Sequence, residues 1–278
     1  MVFDVHVHIF PPEVIRDIDK YACRDAYFAA ICSSKGHKYA TAEDLLAQME
    51  LSGVDITAVS GFACTDPGLC REMNDYTLES ARKHPGKLLA MAVVSPADKL
   101  MEQELDRAVK NGACGVGELF PWGQDFPLHS EKARRLAFYC QERKLPLLLH
   151  FNEIVGHEYT GKGEVSIKEG AAFAAAFPSL PLIYAHLGGG LCFYELMPEL
   201  KDGLRHVYYD IAATPFLYGK NIYRTLREIG ILDKILLGSD YPLIPPSRYL
   251  RDLAGSGLTP SEIDLITGTN AARLFSFF

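Results

Sequence analysis

Much of what would mark this 278-residue chain as a specialised protein is missing from it. Its seven cysteines are odd in number and widely spaced, with no C-x-x-C pair, so neither a disulfide framework nor a thiolate metal site is expected. They read as reduced thiols of a reducing cytoplasm, mostly core filler. Positive charge is not in excess. The formal net charge is −7, which argues against a nucleic-acid partner, since that needs a basic face. No apolar run approaches the roughly 20 residues that span a membrane. No basic and apolar leader precedes Asp4, His6 and His8, so a cytoplasmic location is expected rather than secretion. A glycine-rich phosphate turn after an early strand is also lacking, for Gly188-Gly189-Gly190 comes late and has the wrong spacing. No linker, repeat or low-complexity segment divides the chain, and residues 1–278 are expected to form a single domain.

What is there is ordinary globular composition, 48% hydrophobic and 23% charged, with material for a large core. Apolar runs of strand length recur, each followed by helical periodicity. The strands are expected at 3–10, 56–62, 88–94, 113–120, 147–151, 182–186, 206–211 and 235–237. Helices are expected at 41–51, 66–84, 99–110, 130–143 and about 166–177, 191–203 and 217–229. Two short helices finish the chain, the last opening on the capping box Thr259-Pro260-Ser261-Glu262. Residues 11–40 are polar, spotted with aromatics, and show no clear period. Eight strands in strict alternation with helices imply a parallel sheet, and eight is the number that closes a (β/α)8 TIM barrel. The competing doubly wound sheet would want the absent phosphate turn.

The opening stretch, Phe3-Asp4-Val5-His6-Val7-His8-Ile9-Phe10, organises the rest. Side chains alternate across a strand, so His6 and His8 are expected on one face with Val5, Val7 and Ile9 on the other. Two imidazoles so placed make half a metal site, although a pair of hydrogen-bonded core histidines fits as well. Later strand ends decide between the two. In a barrel the reactive residues gather at the carboxyl ends of the strands, and those ends carry Glu118, His150, His186 and Asp240. Each alone has a plain structural reading, as a buried histidine bonded to backbone, an ion-pair partner or a turn cap. Together, four histidines and two carboxylates at one end are best satisfied by a divalent cation. The second and third strands offer nothing of the kind. His206 begins its strand and belongs to the opposite face. His37, His84, His129 and His157 default to the surface, His157 in a loop on the catalytic side. Asp210, inside the seventh strand, either orients a ligand histidine or makes a structural hydrogen bond.

The D-V-H-V-H opening, the His150 and His186 strand ends, the Ala185-His186-Leu187-Gly188-Gly189 turn and the Gly238-Ser239-Asp240-Tyr241-Pro242 ending resemble the amidohydrolase superfamily. The branch that looks nearest is the amidohydrolase-related group that includes aminocarboxymuconate semialdehyde decarboxylase, and the resemblance runs from residue 3 to the final helix. It implies that His6, His8, His150 and Asp240 hold a divalent metal, most often zinc, with His186 touching the bound water or substrate. Glu118 departs from the decarboxylase pattern. Gly115-Val116-Gly117-Glu118-Leu119 looks more like the fourth-strand glutamate of TatD-type nucleases and related hydrolases, where a carboxylate bridges two metals and His150 and His186 would hold the second. A ligating Glu118 implies two ions; an ion-paired Glu118 implies one.

The chemistry expected is hydrolysis of a small amide, lactone or ester, with Asp240 moving the proton of the attacking water and His186 or a second ion polarising the carbonyl. The alternatives are non-oxidative decarboxylation of a small carboxylate at the same metal, and a catalytically silent barrel serving as a binding subunit. Selectivity must come from loops. Residues 11–39, with Tyr21, Arg24, Tyr27, Phe28 and Lys35, are expected to cover the mouth, and Tyr159 to Gly163 to face it. Phe120, Trp122, Tyr241 and Arg248 are the expected substrate contacts, Arg248 as a carboxylate anchor. A homodimer is implied by resemblance alone.

Overall fold

The structure is a computed structural model, described for residues 1–276 other than Lys35 and Glu164. Its frame is eight short parallel strands whose spatial order is their chain order. They are β1 (Phe3–His8), β2 (Ile56–Ser60), β3 (Leu88–Ala92), β4 (Gly115–Leu119), β5 (Leu147–Leu149), β6 (Leu182–Tyr184), β7 (Val207–Asp210) and β8 (Ile235–Leu236). The first strand meets the last. Val5 N donates to Leu237 O, Asp240 N to His6 O and His8 N to Tyr241 O, each at 2.8 Å, and these bonds draw the ring together. This is a (β/α)8 barrel, as the alternation of apolar runs and helical segments implies.

Phe3, Val5, Ala58, Met91, Leu148, Ile183 and Leu236 form one buried cluster. They come from strands on opposite sides of the ring, and such residues meet only inside it. Val7 and Ile9 instead pack with Leu45 and Met49 of the outer layer. The β1–β2 register shifts between Asp4 and Val7, a bulge-type irregularity. It reverses the phase of the strand there. Strict alternation therefore fails at one position. Val5 joins the barrel interior, while His6 and His8 are set opposite Val7 and Ile9 as expected.

Three short helices, α1 (Pro12–Arg16), α2 (Ile18–Ala22) and α3 (Ala26–Cys32), occupy the stretch in which no period was legible. Then α4 (Ala42–Ser52), α5 (Pro67–Lys83), α6 (Met101–Lys110), α7 (Glu131–Arg143) and α8 (Ile167–Ala176) cover successive strands. Local chemistry sets their ends. Thr41 and Asp44 make a reciprocal capping box on α4, and Gly53 closes it in the left-handed region. Asp66 caps α5 ahead of Pro67 at its first turn.

The expected helix at 191–203 is replaced by an irregular 3-10 segment, His186–Leu196, and a single turn, α9 (Pro198–Lys201). Residues 187–190 there all have positive φ. At Gly189 a side chain would run into the carbonyl of Asn152, so glycine alone permits this close approach to the end of β5. The expected helix at 217–229 is split into α10 (Thr214–Leu217) and α11 (Ile222–Ile229), either side of Gly219. Two helical stretches close the chain as expected: α12 (Pro246–Ala254), and α13 (Pro260–Asp264), whose capping box is formed, continued through the π-helical turn Leu265–Thr269 into α14 (Asn270–Leu274). Ala271 and Leu274 of α14 pack against the barrel-interior cluster and close its floor. No helix among the described residues is long and apolar enough to cross a membrane.

Candidate metal centre

Six side chains converge where the carboxyl ends of the strands open. His6, His8 and Asp240 form one group of potential ligands, and Glu118, His150 and His186 a second. All but His150 and Asp240 are buried. Glu118 lies between the groups. Its Oε2 is 3.3 Å from His6 Nε2 and 3.4 Å from His8 Nε2. Its Oε1 is 3.0 Å from His150 Nδ1 and 3.7 Å from His186 Nε2. Asp240 Oδ1 stands 3.8 Å from His6 Nε2 and 3.5 Å from His8 Nε2.

The far side of three of these rings fixes which nitrogen is free. His6 Nδ1–H donates to Asp210 Oδ2 at 2.8 Å, His8 Nδ1–H to Gly61 O at 3.2 Å, and His186 Nδ1–H to Ala212 O at 3.1 Å. With the proton on Nδ1, each Nε2 carries a lone pair directed at the others, and those of His6 and His8 are 3.2 Å apart. Lone pairs and carboxylate oxygens packed this closely repel one another in a buried pocket unless a cation lies among them. His150 Nε2 is buried with no hydrogen-bond partner among the described residues. The donor set therefore fits divalent metal. Imidazole nitrogens backed by a carboxylate or carbonyl, with carboxylates alongside, are what such ions take.

The charges act on one another strongly. With no other cation among the ligands, a proton on His6 supplies the balancing charge: burial works against it, yet Glu118 and Asp210 outweigh burial and raise the His6 pKa well above the ordinary imidazole value. Burial likewise opposes ionisation of Glu118, and His6 and His150 overcome it to hold the carboxyl well below its usual range. Asp4 is different. Burial pushes it up to about 7, against hydrogen bonds from Ser239 and His6.

Backbone placement explains the convergence. Asp210 Oδ1 also accepts from the backbone N of His186 at 2.8 Å, so one carboxylate positions a histidine from β1 and the turn after β6. Gly238 leaves them room. A Cβ there would lie 2.8 Å from the Asp210 Cβ and 2.9 Å from the His6 Cβ. Of the two readings of Asp210 open from sequence, orientation of His6 is the one its geometry matches.

A cavity of about 590 Å³ opens over five of the six side chains, with His6 buried behind them. Phe120 lines it, as expected of a substrate contact, and so do Tyr27, Tyr159, Thr160 and Gly161 from the expected loops. Other expected contacts lie elsewhere. Trp122 is 54% exposed and borders a neighbouring groove instead. Tyr241 packs on the Val7 and Leu45 cluster. Arg248 pairs through Nε with Asp252 one turn along α12 at 2.9 Å, and it is not among the described lining residues. Arg24 pairs with Asp66 and Glu72, Tyr21 and Phe28 are core, and Lys35 lies outside the described residues. His37, placed at the surface by default, is instead a half-buried residue of the cavity wall, and burial lowers its pKa to about 4. Phe62 was missed as well. It stands two residues past β2, the position that a barrel mouth draws on, and that offset is the signal that would have found it.

Comparison with known proteins agrees with this fold. The model of one family, Amidohydro_2 (amidohydrolase), matches residues 3–277. No curated protein matches the chain. Among solved structures, 5-carboxyvanillate decarboxylase of Sphingomonas paucimobilis is similar at TM-score 0.75 and 14% identity, over 99% of this chain and 98% of that one. The same enzyme from Novosphingobium aromaticivorans, complexed with manganese and 4-hydroxy-3-methoxy-5-nitrobenzoic acid, is similar at 0.74 and 14%, over 99% and 96%. A protein assigned as a 2-pyrone-4,6-dicarboxylic acid hydrolase from Acinetobacter baumannii, with citric acid bound, is similar at 0.67 and 16%, over 99% of each chain. At such identities the likeness is one of fold.

Proposed function

The chain belongs to the amidohydrolase family, and from that premise we propose that it is a metal-dependent hydrolase of small amides, lactones or esters, with Glu118 shared between two divalent ions. One observation carries the reading: the two oxygens of Glu118 address different histidine sets, Oε2 that of His6 and His8, Oε1 that of His150 and His186. A carboxylate that served only as an ion-pair partner would have no need of both. In this reading His6, His8 and Asp240 would hold one ion and His150 and His186 the other, with Glu118 on β4 serving both, as its resemblance to the TatD-type glutamate implies. The imidazole-rich set suits zinc, and manganese is a second candidate.

Ions held there would acidify a water and polarise the carbonyl under attack. The remaining steps fall to the chain. Asp240, the most exposed of the carboxylates here with 18% of its side chain accessible, takes the proton of the attacking water and delivers it to the leaving nitrogen or oxygen. Asp210, Gly61 and Ala212 keep the three rings in the ligating tautomer through that transfer. The apolar rim of the cavity limits bulk water at the reacting carbonyl.

Decarboxylation of a small carboxylate is the second reading, and the 3.0 Å contact between Glu118 and His150 favours it. A hydrogen-bonded pair of that kind can pass a proton to carbon beside a single ion held by His6, His8 and Asp240. Metal analysis of protein purified without chelator separates the two. About two ions per chain with turnover of lactones, esters or amides supports the hydrolase. One ion with CO2 released from an aromatic carboxylate supports the decarboxylase. Protein that takes up no metal on reconstitution refutes both.

A further inference from the structure

The cavity wall nearest the ligands is made of rings. Phe62 and Phe120 stack with centroids 4.9 Å apart and planes 27° apart. Tyr27 lies 6.0 Å from Phe62 at 30°, and 5.3 Å from Phe120. The stacked pair spans both ligand sets, since Phe62 is 6.3 Å from His8 and Phe120 is 5.1 Å from His150. Phe216, Leu217 and Leu243 add further apolar surface to the lining.

The chain spends several interactions on holding Tyr27 here. Asp25 caps α3 by accepting from Phe28 N at 2.7 Å, and its other oxygen accepts from Thr65 and from Asp66 N. Those bonds tie α3 to the loop after β2. Gly123 lies against the Tyr27 ring, where any Cβ would overlap it. The phenol itself has no hydrogen-bond partner among the described residues. Burial, with Glu118 nearby, keeps it protonated, so it is a free donor in the cavity. Among the described lining residues the one lysine or arginine is Lys38, whose Nζ already donates to Leu243 O at 2.9 Å.

Resting on the hydrolase reading, we infer that the substrate carries its reacting carbonyl on a flat aromatic ring without an ionised carboxylate, an aryl lactone, ester or amide. The ring lies along Phe62 and Phe120, and the Tyr27 phenol donates to an oxygen or nitrogen substituent on it. Rings prefer offset or tilted ring neighbours, and this wall offers them within reach of both ligand sets. A carboxylate on the far side of the ring, away from the ions, would be desolvated against apolar surface, and Lys38 is the one lysine or arginine among the described lining residues to offset that.

The test uses the metal-loaded full chain and three lactones: phthalide, γ-butyrolactone and 5-carboxyphthalide. Each kcat/KM is divided by that compound's own alkaline hydrolysis rate. Phthalide should lead both others by about tenfold or more, and Phe120→Leu should shrink the lead to about threefold, the scale of one aromatic contact plus lost area. Binding of 1,3-dihydroisobenzofuran, which has the ring and no scissile bond, is measured by calorimetry on wild type, Phe120→Leu and Tyr27→Phe. It should bind more tightly than tetrahydrofuran and weaken in both variants. Turnover of γ-butyrolactone or 5-carboxyphthalide at or above the phthalide rate overturns the inference and leaves the hydrolase standing. No turnover of any lactone, nor of phenyl acetate or acetanilide assayed beside them, with ring binding intact, overturns the hydrolase and leaves the ring subsite. Equal binding of the two ethers overturns the subsite itself.

Discussion

Replacing Glu118 by glutamine removes one ligand oxygen and the charge while keeping the side chain's shape, and it bears directly on the two-ion centre. The carboxylate has four imidazole nitrogens within 3.0 to 3.7 Å, two on each oxygen. The amide keeps one weaker acceptor and turns an NH2 towards the other set, where it cannot ligate. Losing a mere outer partner of a ligand costs about 10–100-fold in metal affinity. Losing a direct, charged, shared ligand should cost the weaker ion at least about 100-fold, or about 2.8 kcal/mol at 1.4 kcal/mol per decade. Stoichiometry by elemental analysis should fall from about two ions to about one. Competition with a chromogenic chelator should show the loss in one of two binding steps. The metal-free variant should fold, because the amide fills the same volume as the carboxylate, and its circular dichroism melt checks that. A Glu118→Gln protein that keeps two ions at wild-type affinity would falsify the bridge.

Asp210→Asn keeps an acceptor for one of its partners but frees the Nδ1 proton of His6, so metal affinity should drop by about 10–100-fold, with altered ring 15N shifts for His6 in the metal-free state. Gly238→Ala forces a methyl into the Cβ atoms of Asp210 and His6 and should cost about 1–3 kcal/mol in a denaturant melt of apo protein; an unchanged midpoint would contradict the packing. Chelation should lower the melting temperature reversibly, by an amount that grows with the free metal used to reload it, and a melt indifferent to metal would count against the site. Asp25 carries the pH prediction. Burial opposes its ionisation, but hydrogen bonds from Phe28, Thr65 and Asp66 win and depress its pKa below 3.8. A depressed folded-state pKa contributes stability that is present above pH 3.8 and lost as pH falls below it. Asp25→Asn should therefore destabilise at neutral pH and flatten the acid limb of the stability curve, whereas a parallel acid limb would refute the assignment.

The barrel and its ligands were legible from sequence for one physical reason. Parallel strands buried on both faces are near-continuous apolar runs, so a histidine, glutamate or aspartate that ends one is conspicuous. His150 after Leu147-Leu148-Leu149 and His186 after Leu182-Ile183-Tyr184 are of this kind, and chain position at a strand end fixes which rim they occupy. Where strict alternation was the only guide it failed once, at Val5, because a bulge depends on how the neighbouring strand registers and leaves no mark on period. Helices α1, α2 and α3 have 5, 5 and 7 residues, one or two turns each, too short for a 3.6 period to declare itself. The cavity wall suffers most from this. Its distinguishing residues, Tyr27 and His37 among them, ride on those short turns and the loop beyond, and their direction is set by distant contacts such as Asp25 with Thr65 or Gly123 with Tyr27. Arg248 shows the converse error. Its position shortly after β8 suggested an anchor, but a carboxylate one helical turn away, Asp252, pairs with its Nε, and it is not among the described lining residues. In this chain, then, sequence speaks for what strands carry and falls silent on what loops carry. The chemistry rests on the first and the choice of substrate on the second.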